Sequence, residues 1–429
     1  MTRLVACIIG FVVLLCGVSL SGAASAQQIE ITFAKRYDVH GSIEAGQRYI
    51  ERVIAEFERR NPHIKVHYQP LTGDWIEKLT TELIAGTAPD VFEMWGDFAV
   101  NWAENGLLLD LQPYVNRDFD ADYIRGFYPG QWEATVLVSG PNAGMRYGIP
   151  RYTNSTIIFY NKDAFDQAGL PTPHQLEQEG RWTWDTFLES AKRVMRTNGD
   201  LVTVWGYHEY RWAQWVYSNG GKVFNWPEAP TEYMLDRQEA VEALEFLRSL
   251  IWEHQVVPPD RWSTTFSRGD LAMSTHWGSC CIRGIEAEVL GQFEWDIAPL
   301  PVGPKGIRQG AVFLDMWAIS KSSKHPDAAW EFVKFLLSPE AMAMAAWEFG
   351  EQPAHLSGVE EYVRAFEDVN VIYAIEESMR ALPWYDAVVP RAAQVNQLIN
   401  PAIEDGVFQN TKPVRTAVEE VRSAIEALF

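Results

Sequence analysis

The most constraining feature of this sequence is a regular alternation of strand-like and helix-like segments near its beginning. Two helix-like segments occur there, one with Ile50, Val53, Ile54 and Phe57 on a single face and one running from Asp74 to Gly86. A strand, helix, strand, helix, strand succession over about 65 residues predicts a parallel α/β unit with right-handed connections. The three strand-like segments are residues 29–33, 64–68 and 90–94.

A second pattern of the same kind begins near Tyr147 and predicts another α/β lobe. Residues 157–159 are typical of a buried strand, and Thr183 can cap a helix that follows. The strand-like residues 295–300 run into a segment rich in Pro and Gly, residues 301–306, which cannot continue the strand. We interpret that segment as a connection back towards the first unit.

The N-terminus is typical of a cleavable export signal. Arg3 precedes an apolar run over residues 4–20, and Ala24-Ser25-Ala26 provides a small-residue cleavage site. The run is shorter than the roughly 20 residues that span a membrane comfortably. Lipid anchoring is not expected, because Cys16 follows Leu15 rather than a small residue. We therefore predict a mature chain of residues 27–429 in the periplasm or outside the cell.

The charge balance of the mature chain excludes several classes of partner. The sequence has 36 basic and 57 acidic residues, and the signal contributes only Arg3, so the mature balance is 35 minus 57, or −22. Such acidity argues against binding to nucleic acid or to anionic membrane surfaces. The length of the mature chain also exceeds what one hydrophobic core usually covers and predicts two or three folding units.

Motifs for metals, cofactors and nucleophilic catalysis are missing from the sequence. His208-Glu209 has no second histidine at ligand spacing, and neither a Gly-rich phosphate loop nor a G-x-S-x-G motif occurs. Cys280 and Cys281 are the only cysteines after the signal. They form either a strained vicinal disulfide or two buried thiols. We expect no metal, no cofactor and no catalytic residue.

Several short segments occur in a characteristic order over nearly the whole mature chain. One is Tyr147-Gly148-Ile149-Pro150 leading into Phe159-Tyr160-Asn161-Lys162-Asp163, and another is Trp182-Thr183-Trp184-Asp185-Thr186-Phe187. Together these segments resemble the extracellular solute-binding proteins of carbohydrate ABC importers, the maltose-binding-protein-like family. The remaining segments that carry the resemblance are residues 57–62, 83–91, 219–221, 266–273, 296–301 and 320–335.

The resemblance implies a fold and a division of the chain. The fold is α/β, the two-lobed periplasmic binding protein fold (type II, Venus-flytrap), with each lobe a mixed sheet flanked by helices. The chain would cross between lobes near Pro150, Gly306 and Glu351. The first lobe would contain residues 27–150 plus 306–350, and the second residues 151–305 plus 351–429.

The resemblance also implies a function. The protein would be a monomeric binding component of an ABC importer, not an enzyme, with a carbohydrate ligand and membrane permease subunits as partners. A sugar offers hydroxyl groups to carboxylates and amides and an apolar face to aromatic rings. Such residues are expected beyond the carboxyl ends of strands. The candidates are Tyr37, Asp38, Trp95, Asp97, Tyr152, Asn154, Tyr210, Trp212, Trp215, Trp277, Gly278 and Asp315.

Structural roles compete with several of these assignments. Asp97 can instead cap the next helix, and Trp212 and Trp215, three residues apart, have the spacing of core residues on one helix face.

Two other functions remain open. A binding protein of the same fold for a polyol phosphate or an organic anion would need basic residues in the cleft, where Arg151 and Arg211 are suitably placed. A secreted glycoside hydrolase would need two carboxylates roughly 5 to 10 Å apart, for which Asp38, Asp97 and Asp315 are available.

Overall fold

The structure is a computed structural model that describes residues 28–36, 43–208, 211–260, 263–275 and 278–429. The predicted export signal, residues 1–26, lies outside these residues. The strands are β1 (Ile29–Lys35), β2 (Ile64–Pro70), β3 (Val91–Trp95), β4 (Ile149–Ser155), β5 (Ile158–Asn161), β6 (Arg196–Asn198), β7 (Leu201–Val204), β8 (Met273–Ser274), β9 (Trp295–Ala298), β10 (Ala311–Ile319), β11 (Gln352–Pro353) and β12 (Leu382–Pro383).

The helices lie between these strands, singly or in succession, and after the last of them. They are α1 (Ile43–Arg60), α2 (Trp75–Ala85), α3 (Gly96–Glu104), α4 (Gln112–Asp118), α5 (Ala121–Ile124), α6 (Pro129–Ala134), α7 (Lys162–Ala168), α8 (Pro173–Gln178), α9 (Trp184–Val194), α10 (Ala213–Ser218), α11 (Gln238–Trp252), α12 (Ile282–Val289), α13 (Pro326–Leu336), α14 (Pro339–Phe349), α15 (Val359–Arg364), α16 (Ile372–Arg380), α17 (Tyr385–Val388), α18 (Ala392–Ile403), α19 (Val414–Glu420) and α20 (Arg422–Glu426).

The first sheet contains the predicted parallel unit. Its strand order is β2-β1-β3-β10-β4-β11, with β12 beside β10. β1 runs parallel to β2, with Ile29 opposite Ile64, and parallel to β3, with Phe33 opposite Val91. β10 runs antiparallel to both β3 and β4, so the sheet is mixed. The three strands predicted from the sequence are confirmed, each to within two residues at its ends.

The helix predicted between Asp74 and Gly86 and the helix cap predicted at Thr183 are present in the structure. The side chain of Asp74 accepts a hydrogen bond from the backbone N–H of Glu77 at the start of α2, and Gly86 ends that helix in the left-handed conformation at φ 71°. Thr183 caps α9 in the same way through the N–H of Thr186. These local bonds fix where each helix begins.

The core beneath the first sheet joins chain segments that are far apart in sequence. The ring of Phe33 on β1 lies 4.9 Å from Phe332 on α13 and 5.5 Å from Trp317 on β10. Phe57 on α1 packs against the same Phe332 at 4.8 Å. β10 and α13 therefore complete the core that β1 and α1 begin.

The second sheet is smaller and has its own core. β5 pairs antiparallel with both β8 and β9. Isolated parallel bridges from Trp205 to Leu271 and from His208 to Ser274 add parallel pairing beside β8. Phe159 and Ile297 of this sheet are fully buried in one cluster with residues of α15 and α16. Among the residues that the structure describes, no helix is both long and apolar enough to cross a membrane.

Three segments near the predicted crossing points lie side by side in the first sheet. β4 is the middle strand, with β10 on one side and β11 on the other. Val312 lies opposite Ser155, and Gln352 lies opposite Thr153. The pairing therefore holds β4, β10 and β11 in a fixed register relative to one another.

A fully buried carboxyl group lies next to these strands. Glu377 on α16 is 0% exposed, and its Oε1 lies 3.3 Å from the guanidinium of Arg380. Burial raises the pKa of Glu377 to about 7, against the opposing effect of Arg380 and Arg308. Because the folded protein binds this proton more tightly than the unfolded chain does, Glu377 favours folding at low pH. That contribution is lost as the pH rises from about 4.5 to about 7.

We predict that Glu377→Gln removes this pH dependence. Between pH 5 and pH 8, the free energy of unfolding of the wild type should fall relative to the variant by about 3 kcal/mol. Urea denaturation at several pH values measures the difference. Glu376→Gln, on the exposed side of the same helix, serves as the matched control and should follow the wild type. A Glu377→Gln variant that follows the wild type at every pH would contradict the assignment.

Candidate functional site

Polar and aromatic side chains collect where β1 and β3 end beside β4 and β10. Arg36 directly follows β1, and Trp95 is the last residue of β3. In β10, Asp315 lies opposite Trp95 on one side and Tyr152 on the other. Directly opposed residues of antiparallel neighbours project from the same face of a sheet, so these side chains share one face.

A cavity of about 590 Å³ is formed at this place. Its volume lies within the range of about 300 to 1,000 Å³ that is usual for small-molecule sites. Aromatic side chains in its lining are Trp75, Trp95, Tyr152, Phe313 and Trp384. Polar and charged side chains in its lining are Arg36, Arg211, Asn154, Asp315 and Asp386. The lining thus combines ring faces with both donors and acceptors of hydrogen bonds.

The structure brings four of the predicted ligand residues together in this cavity. They are Trp95, Tyr152, Asn154 and Asp315. Gly278 does not line the cavity but lies directly behind Asn154. Asp97 falls in the first turn of α3, and its side chain is outside the described part of the structure. Tyr37, Asp38, Tyr210 and Trp277 are likewise outside the described residues, so their roles stay predictions.

Trp212 and Trp215 are placed as core residues instead. Trp215 is 2% exposed, and its ring packs at 5.3 Å against both Trp184 and Phe187. Trp212 immediately precedes α10, and its ring lies 5.7 Å from the ring of Tyr385. Neither residue lines the cavity. The spacing of three residues between them therefore reflects a shared core-facing side and not a pair of ligand contacts.

Several cavity residues were missed by the sequence analysis. Arg36 follows β1 directly, and the rule that singled out Tyr37 and Asp38 applies to it as well. Trp384 and Asp386 come from a segment after α16 that no local pattern connects with the cavity. These two residues reach the cavity because α17 packs closely on α3. The contact is so close that a Cβ atom on Gly96, the first residue of α3, would come within 2.7 Å of the carbonyl oxygen of Ala387 on α17.

A buried network of charged side chains lies behind the cavity. Glu93 on β3 contacts Lys35 at 3.7 Å, Arg36 at 2.7 Å and Arg151 at 3.3 Å. Glu351 contacts Arg151 at 2.8 Å and Lys35 at 3.8 Å. Arg151 also lies 3.9 Å from Asp315, which belongs to the cavity lining. Three cations and three anions therefore balance one another across four strands and the residue before β11.

The network keeps the carboxyl group of Glu93 ionised despite burial. Burial favours the neutral form of Glu93, but Lys35, Arg36 and Arg151 together lower the pKa of this carboxyl to about 2. Burial lowers the pKa of Lys35, with Arg151 adding to the effect and Glu93 opposing it. The hypothesis of an anionic ligand requires Arg151 in the cleft. Its side chain is 1% exposed and does not line the cavity.

Both arginines of the cavity lie over aromatic rings. The guanidinium of Arg36 is 4.1 Å from the ring centre of Trp95 and 5.2 Å from that of Trp75. The guanidinium of Arg211 is 4.8 Å from Phe313 and 5.1 Å from Trp384. A guanidinium held over a ring in this way has a restricted orientation. Part of the ring surface of Trp95 and Trp384 is therefore already covered by an arginine.

Asp386 and Tyr152 supply further hydrogen-bonding groups. Burial raises the pKa of Asp386, although the neighbouring Arg211 acts in the opposite direction. Burial also raises the pKa of Tyr152 well above its ordinary value, so its hydroxyl is neutral and can both donate and accept. Within the described ranges, no three His, Cys, Asp or Glu side chains are grouped so that they could hold a metal ion.

Comparison with known proteins assigns the family. The sequence pattern of the bacterial extracellular solute-binding proteins matches residues 40–343, more than half of the chain. The chain belongs to this family. It is a family of binding proteins that act outside the cytoplasm, which agrees with the resemblance found in the sequence. A putative binding protein of Brucella abortus is 25% identical over 364 residues, which are 80% of this chain and 80% of that protein.

Solved structures show the same architecture. An ABC substrate-binding protein of Listeria monocytogenes in complex with cycloalternan is 25% identical and has a TM-score of 0.74 over 94% of this chain and 99% of that chain. The sugar-binding protein MalE of Xanthomonas citri has a TM-score of 0.75 at 20% identity, with 93% and 96% of the two chains covered. The fold is the two-lobed α/β fold of these binding proteins, as predicted.

We predict that breaking the buried network is costly. Glu351→Gln leaves three cations facing two anions, Glu93 and Asp315, so one buried positive charge loses its balance, and the change should lower the free energy of unfolding by about 3 to 5 kcal/mol. Chemical denaturation measures the change. Glu360→Gln is the matched control, because its ion pair with Arg364 is exposed at the surface and contributes little. Equal stability of the two variants would show that the network is not needed for folding.

Proposed function

We propose that this protein is the extracytoplasmic binding component of an ABC importer and that it binds an uncharged sugar or short oligosaccharide in the cavity. The ligand would then be delivered to membrane permease subunits without chemical change, by a monomeric protein. Membership of the solute-binding family supports the importer role. The observation that carries the choice of ligand is a cavity in which aromatic faces, neutral donors and acceptors, and already balanced charges occur together.

The aromatic and polar lining fits a carbohydrate. Rings such as Trp95 and Trp384 can cover the apolar C–H face of a pyranose. Asp315 and Asp386 can each accept from two adjacent hydroxyl groups, while Arg36 and Arg211 donate to ring or hydroxyl oxygens. The relatives solved with sugars, such as the Listeria protein with cycloalternan, agree with this assignment.

The electrostatics favour an uncharged ligand over an anion. Arg36 is paired with Glu93 through its Nε at 2.7 Å, and Arg211 lies near Asp386. Arg151, which the anion hypothesis requires in the cleft, is held behind it by Glu351 and Glu93. An added carboxylate or phosphate would introduce a net charge into a balanced and partly desolvated site. The formal charge of the whole chain, −21, repels anions as well.

We predict that uncharged sugars stabilise the protein and that their acidic counterparts do so less. A thermal-shift screen should compare matched pairs such as glucose with glucuronic acid and galactose with galacturonic acid, together with neutral oligosaccharides. A ligand present at 100 times its Kd should add roughly 2.7 kcal/mol to the free energy of unfolding. A larger shift with the acids or with glycerol phosphate would favour the anion hypothesis. No shift with any sugar would contradict the proposed ligand class.

We also predict that Trp95→Ala weakens binding of the best neutral sugar by about 1 to 3 kcal/mol while the protein stays folded. The reason is that Trp95 lines the cavity and is only partly buried. Isothermal titration calorimetry measures the affinity. Trp215→Ala is the matched control, since it should cost about 3 to 5 kcal/mol of stability and leave the affinity of the folded protein unchanged. Wild-type affinity in Trp95→Ala would remove that residue from the site.

A further inference from the structure

Two adjacent thiols lie at the wall of the ligand cavity. Cys280 lines the cavity, and its Sγ is 3.1 Å from the Sγ of Cys281. Both are thiols in the structure, with Cys280 buried and Cys281 partly exposed. They are the only cysteines that follow the predicted export signal, and the family acts in compartments where thiols can be oxidised. The two thiols are therefore placed to be oxidised to each other, a reaction that ligand binding by itself does not require.

The turn that carries the thiols is bonded to a central strand of the cavity. The backbone N–H of Cys280 donates to Oδ1 of Asn154 at 3.1 Å, and Oγ of Ser279 accepts from the N–H of Ser155 at 3.0 Å. Gly278 begins the turn at φ 94°, and a Cβ atom there would come within 2.5 Å of the same Oδ1. Asn154 is itself part of the cavity lining. The position of the turn thus fixes the orientation of a ligand-facing amide.

We propose that Cys280 and Cys281 form a reversible vicinal disulfide that weakens ligand binding by displacing this turn from Asn154. The two sulfur atoms need to approach by about 1 Å to reach bonding distance. Because adjacent Cα atoms are only about 3.8 Å apart, the ring is strained, and its bond is easily reduced. Such a bond is suited to a reversible switch rather than to permanent stabilisation of the fold.

The oxidation is a thiol–disulfide exchange with a low-molecular-weight disulfide. The more accessible Cys281, as its thiolate, attacks one sulfur of the oxidant and expels one thiol, which gives a mixed disulfide. Cys280 then loses its proton and attacks Sγ of Cys281, which expels the second thiol. Two thiol hydrogens and two electrons pass to the oxidant, which leaves as two thiols. Burial raises the pKa of Cys280 well above its ordinary value, in keeping with its role as the second thiol to react.

The bond itself is tested by mass spectrometry on the mature protein. The protein is equilibrated in glutathione buffers of increasing oxidised fraction, denatured in acid, and alkylated without reductant. We expect two alkyl groups under reducing conditions, and none, with a mass lower by two hydrogens, under oxidising conditions. Two alkylated thiols in the most oxidising buffer would overturn the proposal. Stable glutathione adducts in place of the closed ring would overturn it as well.

The effect on the ligand rests on the proposed function and is tested separately. Calorimetry with the best neutral sugar should show an affinity about tenfold lower for the oxidised protein, and the sugar should hinder oxidation by the same factor. Cys281→Ser, which lies outside the cavity lining, should bind like the reduced wild type in every buffer. Equal affinity in both redox states would refute control of binding. If no sugar binds the reduced protein, the proposed function fails with it, and the mass measurement still decides the disulfide.

Discussion

The arrangement of the cavity depends on the buried ion network behind it. Glu93, Arg151 and Glu351 come from three separate parts of the chain, and they are held together with Lys35 in surroundings that exclude water. A single buried charge would be strongly unfavourable, whereas a balanced set is tolerated only while all members keep their contacts. The network therefore specifies one register for the strands that meet there.

The same strands carry the ligand-facing residues on neighbouring positions. Arg36 follows Lys35, Tyr152 follows Arg151, and Asp315 contacts Arg151 while lining the cavity. Alternation along β4 places Arg151 in the network and Tyr152 towards the cavity, whereas Arg36 and Asp315 take part in both. The interior charges thus hold the cavity residues in place, and a ligand meets donors and acceptors that are already oriented. This arrangement reduces the entropy lost on binding.

The abundance of tryptophan in the sequence has two different explanations in the structure. Trp182 and Trp215 are core residues, and Trp95 and Trp384 line the cavity. Even in the cavity, part of the ring surface is used within the protein, because Arg36 lies over Trp95 and Arg211 over Trp384. Aromatic residues in the cavity therefore contact the arginine side chains as well as offering ring faces to a ligand. The number of aromatic residues in a sequence does not distinguish these two roles.

The sequence by itself determined the local elements, because hydrophobic periodicity and caps such as Asp74 and Thr183 act over a few residues. The resemblance of its short segments to a known family implied the fold class and the family. The sequence also indicated Trp95, which follows a strand that the pattern had located, Tyr152 and Asn154, which lie near the crossing point that the resemblance implies, and Asp315. Only the tertiary structure separated Trp215 from the cavity and brought Trp384 and Asp386 into it. The physical reason is that burial and proximity arise from packing between distant segments, here α17 on α3, about which local periodicity contains no information.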